Sequence, residues 1–145
     1  VYGVLRNYAQ AIKDCDRAIK LNPKNAEAYN CRGYSYGYLG NHKQEIKDIT
    51  QAIQLSSKDM KWMYYYNRGL VYDEIGNYSQ AIKDYDKAIE LEPQVSDPWA
   101  EAYYERGVAY DKLGNHNKAI KDLKIAARLG HKSAQDFLRG KGLSW

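Results

Sequence analysis

Between Gln80 and Leu91 the apolar residues Ala81, Ile82, Tyr85, Ala88, Ile89 and Leu91 recur at helical spacing. Lys83, Asp84, Asp86, Lys87 and Glu90 fill the positions between them. Such a pattern wraps a broad apolar face around one side of a helix. Just upstream, Trp62–Ile75 carries Tyr65, Gly69, Tyr72 and Ile75 on one stripe, which predicts a second helix. Gly76-Asn77 between them supplies a left-handed stop and a turn. Pro93 lies just past the second helix, which it cannot continue. Gly69 in mid-helix costs roughly 1 kcal/mol against Ala, so its place implies a close crossing by a partner helix. Ala81 and Ala88 are small for the same reason.

The pattern recurs. Tyr29–Leu55 reads "YNCRGYSYGYLGNHKQEIKDITQAIQL", Tyr103–Leu129 reads "YYERGVAYDKLGNHNKAIKDLKIAARL", and the chain opens with its tail, "NYAQAIKDCDRAIKLNP". The Tyr before the turn is Tyr2, Tyr36, Tyr72 and Tyr110, at steps of 34, 36 and 38 residues. The turn is Arg6-Asn7, Gly40-Asn41, Gly76-Asn77 and Gly114-Asn115. The small residue after it is Ala11, Ala81 and Ala119, with Glu45 the exception. The extra residues fall in "SSKDMK" and "PQVSDP", read as connectors.

A period near 34 with two helices per unit resembles the tetratricopeptide repeat family. The matching skeleton is Gly33/Tyr36/Gly40, then Gly69/Tyr72/Gly76/Ala81/Ala88/Pro93, then Gly107/Tyr110/Gly114/Ala119/Ala126, with Ala11, Ala18 and Pro23 in the first unit. It covers about nine-tenths of the chain. The resemblance implies an all-α, right-handed superhelical solenoid of antiparallel helix pairs, first helices lining the concave face. Stacked units cover one another's apolar sides, so the array is cooperative along one dimension. The expected division is a single domain over 1–145: a partial repeat 1–25, repeats 26–59, 60–97 and 98–130, and a C-terminal capping helix within 131–140. In that cap Ser133–Arg139 would turn Ala134, Phe137 and Leu138 inward, and Gly140 and Gly142 would stop the helix. "AARLGHKSAQ" is also similar to Sel1-type repeats. With no opening Met and with Val1 inside a helical pattern, the chain reads as a piece of a longer one.

Fifteen Tyr against one Phe follows from repetition, since Tyr recurs at fixed positions. Two cysteines make no disulfide framework. Cys15 stands where a later unit has Tyr85, and reads as a buried thiol acting as a small hydrophobe; a redox pair with Cys31 is the lesser reading. The net charge of +4 is uneven: residues 116–145 carry +5 and the rest −1. Few cysteines and no signal or membrane-spanning stretch are compatible with the cytoplasm.

No catalytic or cofactor motif stands out. His42 and His116 occupy the position of Tyr8 and Tyr78 and read as structural substitutes, while His131 opens the cap. Asp14, Asp48, Asp84 and Asp122 share one register position and Arg32, Arg68 and Arg106 another, which predicts an Arg–Asp ladder between helices. No zinc spacing, phosphate loop or nucleophile elbow is present. The expectation is therefore a protein that is not an enzyme and uses no cofactor or metal.

Helical phase selects the residues expected to face the groove. They are Glu27, Asn30, Cys31, Tyr34 and Tyr38; then Met63, Tyr66, Asn67, Leu70, Asp73 and Glu74; then Glu101, Tyr104, Glu105, Val108, Asp111 and Lys112. Six acids stand against one Lys, so the groove is expected to be aromatic and acidic. Some tetratricopeptide co-chaperones clamp an acidic chaperone tail with Lys, Asn and Arg. The matching positions are Asn30 and Tyr34, Asn67, and Glu101 and Glu105, of which only Asn67 fits, so no such clamp is expected in this register. The leading expectation is a protein-interaction scaffold holding a partner with basic and apolar side chains. Tyr faces there attract cations and acids set orientation and on-rate. The plainer alternative is that these Tyr only pack between helices. Other expectations are self-association through the terminal helices and nucleic-acid binding by Lys118, Lys121, Lys124, Arg128 and Lys132. That last mode would be salt-sensitive and sequence-blind.

Overall fold

The computed structural model describes residues 2–91 and 97–145, with side chains from 7 to 91 and from 99 to 145. Pro93 and most of its connector lie outside them. Eight helices follow one another among the described residues: α1 Tyr2–Leu21, α2 Ala26–Tyr38, α3 His42–Leu55, α4 Lys58–Glu74, α5 Tyr78–Leu91, α6 Asp97–Lys112, α7 His116–Arg128 and α8 Lys132–Gly140. Each packs on the next, and α4 also touches α6. The result is an all-α solenoid.

Three turns are built alike. Gly40, Gly76 and Gly114 take φ of 77°, 75° and 74°, a left-handed stop that glycine adopts without steric cost. The following Asn41, Asn77 and Asn115 donate their amides back to the carbonyls of Tyr36, Tyr72 and Tyr110 at 2.9, 2.7 and 2.8 Å. Asn41 then accepts the Gln44 amide on its side-chain oxygen at 3.2 Å, capping the next helix.

Two expectations need correction here. No turn forms at Arg6-Asn7: α1 runs unbroken from Tyr2 to Leu21. Arg6 stands where the other units have glycine, and a residue with a Cβ does not stop the helix in the left-handed region. "SSKDMK" is not all connector, because Lys58 to Lys61 belong to α4. Ser56 and Ser57 alone are extended, with ψ of 153° and 161°, and Asp59 suits the positive N-terminus of the new helix.

The core is a row of clusters between neighbouring helices. Ile49, Ala52, Ile53, Tyr64 and Val71 form one, Ala81, Ile82, Tyr85 and Ala109 the next. Leu123, Ala126 and Ala127 pack on Ala134 and Leu138 of α8. Phe137 does not join them; it is 38% exposed, with the Lys141 ammonium 5.8 Å from its ring centre. Gly140 lies inside α8, and the stop is Gly142 at φ 67°.

The ladder is present in three rungs. Arg32 donates Nε and Nη2 to Asp48, both at 2.7 Å. Arg68 does the same to Asp84 at 2.7 and 2.8 Å, and Arg106 to Asp122 at 2.7 and 2.9 Å. The remaining Nη1 reaches back into the preceding unit, to Asp16, Thr50 and Asp86 at 2.8, 2.9 and 2.7 Å. Those three also share one register position. Asp14 stands outside the ladder, exposed and bonded to Gln10 at 3.1 Å.

Glycines beside the ladder permit the close crossing. A Cβ on Gly69 would lie 2.7 Å from the Tyr85 ring, and one on Gly107 3.2 Å from the Leu123 side chain. Gly69→Ala is therefore expected to destabilise by about 1–3 kcal/mol, overpacking outweighing helix propensity. Gly140→Ala, with nothing within 4 Å of the added carbon, is expected to be neutral or to stabilise by up to about 1 kcal/mol. Urea unfolding of the two variants checks the contrast.

Candidate partner-binding groove

The first helices of the units, α2, α4 and α6, carry the expected groove residues. Between α2, α3 and α4 lies a pocket of about 450 Å³, within the range of small-ligand and side-chain pockets. It brings together Asn30, Tyr34, Tyr38, Asn67, Leu70 and Glu74 of the expected set. Asn67 donates to Asn30 at 3.5 Å, the long limit of a hydrogen bond. Tyr34 and Tyr38 are 57% and 53% exposed, with hydroxyls 3.0 Å apart. The Tyr38 ring stacks on Tyr8, centres 4.4 Å apart.

Glu45, Gly37, Ile49 and Val71 also line this pocket and were not among the expected residues. Glu45 is 6% exposed, and its carboxylate fills the space a Cβ on Gly37 would need. The signal was in the register. Later units place Asp73 and Asp111 at the Gly37 position and Ala81 and Ala119 at the Glu45 position. The second unit exchanges them, carrying its acid on the second helix and its small residue on the first. Burial raises the Glu45 carboxyl above its ordinary range, and His42, at 3.0 Å, pulls it back.

Further along, α4 and α6 bring Tyr66, Asp73, Glu101, Tyr104 and Glu105 into one neighbourhood. Burial raises the Glu105 carboxyl to about 7, with the Glu101 and Asp73 charges adding to it. Asp73 is raised by burial and only partly relieved by Lys112; its Oδ1 is buried without a hydrogen-bond partner. Burial also raises the Tyr66 phenol, Glu101 and Glu105 adding to the effect. The cap touches this end. His131 Nδ1 accepts the Ala134 amide at 3.2 Å, so Nε2 carries the proton and donates to Glu101 at 3.0 Å. The Tyr104 ring stacks on His131, centres 4.1 Å apart. Sequence reasoning gave His131 no part in the groove.

The remaining expected residues are less engaged. Glu27 is exposed and Met63 and Val108 are half-buried. Asp111 turns to His116 at 2.7 Å. Cys31 is exposed, but its sulfur lies 2.9 Å from that of buried Cys15, whose thiol burial pushes up to about 12. Of the C-terminal cations, Lys118 stands over Tyr110 at 5.1 Å from the ring centre, while Lys121, Arg128 and Lys132 are exposed and Lys124 is half-buried. Among the described residues no three His, Cys, Asp or Glu side chains converge as metal ligands would, and no helix is long and apolar enough to cross a membrane.

Family models named tetratricopeptide repeat match residues 26–59, 62–95 and 100–131, and a TPR repeat model matches 6–40. The chain belongs to the tetratricopeptide repeat family. Among solved structures, the MamA protein is similar at 30% identity and TM-score 0.74, over 88% of this chain and 67% of that one. The second TPR of Spaghetti (RPAP3), solved bound to the HSP90 peptide SRMEEVD, is similar at 27% identity and TM-score 0.64, over 74% and 94%. The Arabidopsis OM64 TPR domain is similar at 25% identity and TM-score 0.67, over 80% and 95%. No curated protein matches the chain. Its repeats make this TPR chain a protein-interaction scaffold.

Glu105 holds its proton more tightly folded than unfolded. Its contribution to stability is complete below the ordinary carboxylate range and is lost as pH rises through about 7. Glu105→Gln is thus expected to gain about 1 kcal/mol over the parent at pH 8, after allowance for solvent screening, and little at pH 4. Paired urea titrations at the two pH values read this directly.

Proposed function

We propose that this TPR chain is a non-catalytic scaffold that holds an extended or helical segment of a partner protein in its concave groove. The segment is one with Lys or Arg and apolar side chains. The supporting observation is an imbalance. Glu45, Asp73, Glu74, Glu101 and Glu105 stand along the groove, and the cations that approach them are Lys112 at Asp73 and the imidazoles of His42 and His131. Elsewhere in the same array buried acids are neutralised: Asp48, Asp84 and Asp122 each take a two-pronged Arg. A basic segment supplies the missing charge. Exposed Tyr34 and Tyr38 add rigid apolar contact at low entropic cost.

The RPAP3 domain was solved with an acidic peptide. In this chain the positions that would clamp such a tail hold Tyr34, Glu101 and Glu105, and like charges in a desolvated groove repel. The partner chemistry is accordingly opposite in sign. Groove residues named for this role are Glu27, Asn30, Tyr34, Tyr38, Met63, Tyr66, Asn67, Asp73, Glu101, Tyr104, Glu105 and Asp111.

Panning a random peptide display library on the immobilised protein tests this. Selected peptides are expected to be enriched in Lys and Arg beside apolar residues, and to lose binding to a Tyr34→Ala/Tyr66→Ala/Glu105→Lys variant that keeps its helical circular dichroism. Enrichment of Asp and Glu, or binding indifferent to the variant, would contradict the reading.

A further inference from the structure

We propose that Asp73, Glu101 and Glu105, with the phenol of Tyr85 beneath them, form a subsite for one primary ammonium or guanidinium group. This group is the tip of a single Lys or Arg side chain of the bound segment. The inference deepens the groove reading and rests on it.

Three observations carry it. First, the carboxylates come from two helices, Asp73 from α4 and Glu101 and Glu105 from α6, and they act on one another's charge. The surrounding cations are few: Lys112 beside Asp73, and His131, which donates to the Glu101 carboxylate. Second, two polar atoms at the base lack a protein partner. Asp73 Oδ1 and the hydroxyl of Tyr85 are buried and unbonded. Tyr85 is 0% exposed, and its phenol feels the charges of Glu105 and Asp73. A buried polar group without a partner is costly, and this phenol lies within range of two of the acids. Third, an aromatic wall stands beside them. The Tyr66 ring packs on Tyr85 with centres 5.9 Å apart, and its phenol feels Glu101 and Glu105.

The chemistry of the occupant follows. An ammonium carries three donors and a guanidinium five, which match the carboxylate oxygens that Asp73, Glu101 and Glu105 supply. The Tyr66 face favours a cation over a neutral group. A divalent metal is not favoured, because it needs oxygens closing to about 2.0–2.6 Å, a set absent among the described residues; an ammonium is held by longer contacts of about 2.7–2.9 Å. The pocket at Glu45 is a weaker candidate for the same role, since His42 already bonds that carboxylate. Retention of the Glu105 proton up to about 7 is what an acid without its counter-cation shows.

The test is an NMR titration of the whole chain with Nα-acetyl-lysine methylamide, its arginine counterpart and its norleucine counterpart, a neutral near-isostere of lysine. The lysine and arginine compounds are expected to give saturating shifts at Tyr66, Asp73, Glu101 and Glu105, and the norleucine compound not. Glu105→Gln and Asp73→Asn should each weaken the lysine compound by roughly ten-fold, as losing one charge-assisted contact does. Glu90→Gln, at an exposed residue of α5 paired with Lys87, should leave it unchanged, as should added calcium chloride. Equal shifts with norleucine, displacement by calcium, no saturation, or shifts confined to the Glu45 pocket would each overturn the subsite. Library peptides that stay basic but ignore Glu105→Gln would remove the subsite and keep the groove reading. A library yielding no basic peptides would remove the groove reading itself.

Discussion

The guanidinium groups of Arg32, Arg68 and Arg106 hold the array together. Each forks onto an Asp of its own unit's second helix, that Asp being 5% exposed or less, and sends its third nitrogen into the unit before. Each also lies 5.2–5.5 Å from the ring centre of Tyr29, Tyr65 or Tyr103, again one register position. Three helices and an aromatic face thus meet at one planar cation, a geometry that the fork of arginine suits and lysine does not. Removing one partner of such a buried pair typically costs about 3–5 kcal/mol, because a buried charge is left alone. The glycine after each Arg completes the arrangement by letting the second helix come close. Repetition of this unit sets the spacing of the first helices, and that spacing makes a groove.

The acids between α4 and α6 invert the same electrostatics. At the ladder every buried acid has its guanidinium. Asp73 of α4 and Glu105 of α6 are buried enough to resist ionisation and have little to pair with. The fold pairs its acids three times over and leaves these without full partners, and on the proposed reading a bound cation offsets that cost. The entry to α8 takes part too: His131 bonds Glu101 and stacks on Tyr104.

Most of the architecture was legible because repetition averages out local ambiguity. Four copies in register predicted helix pairs, the Gly-Asn turns, the Gly69 crossing and the ladder. Where a copy departed from the pattern, the reading failed. Arg6-Asn7 took the place of a Gly-Asn turn by alignment, yet lacks the residue that stops a helix, and α1 continued through it. Phe137 was assigned inward by helical phase, but α8 buries only Ala134 and Leu138 against α7. Of the residues that line the pocket between α2, α3 and α4, phase had selected Asn30, Tyr34, Tyr38, Asn67, Leu70 and Glu74, which sit on regular first helices. It missed Glu45 because that acid rises from a second helix. Only comparing two positions at once, Gly37/Glu45 with Asp73/Ala81, reveals it. His131 was hidden for a different reason: its contact to Glu101 spans thirty residues, and no periodicity reports such a distance.

A crystal structure of the chain with a library-selected basic peptide tests the central claim most directly, that the unpaired acids of the concave face are the recognition surface. The account predicts the peptide along α2, α4 and α6, with a Lys or Arg tip between Asp73 and Glu105 and apolar side chains against Tyr34 and Tyr38. A peptide seated on the outer helices α3, α5 and α7, or in the groove with its cations pointing to solvent, would contradict it.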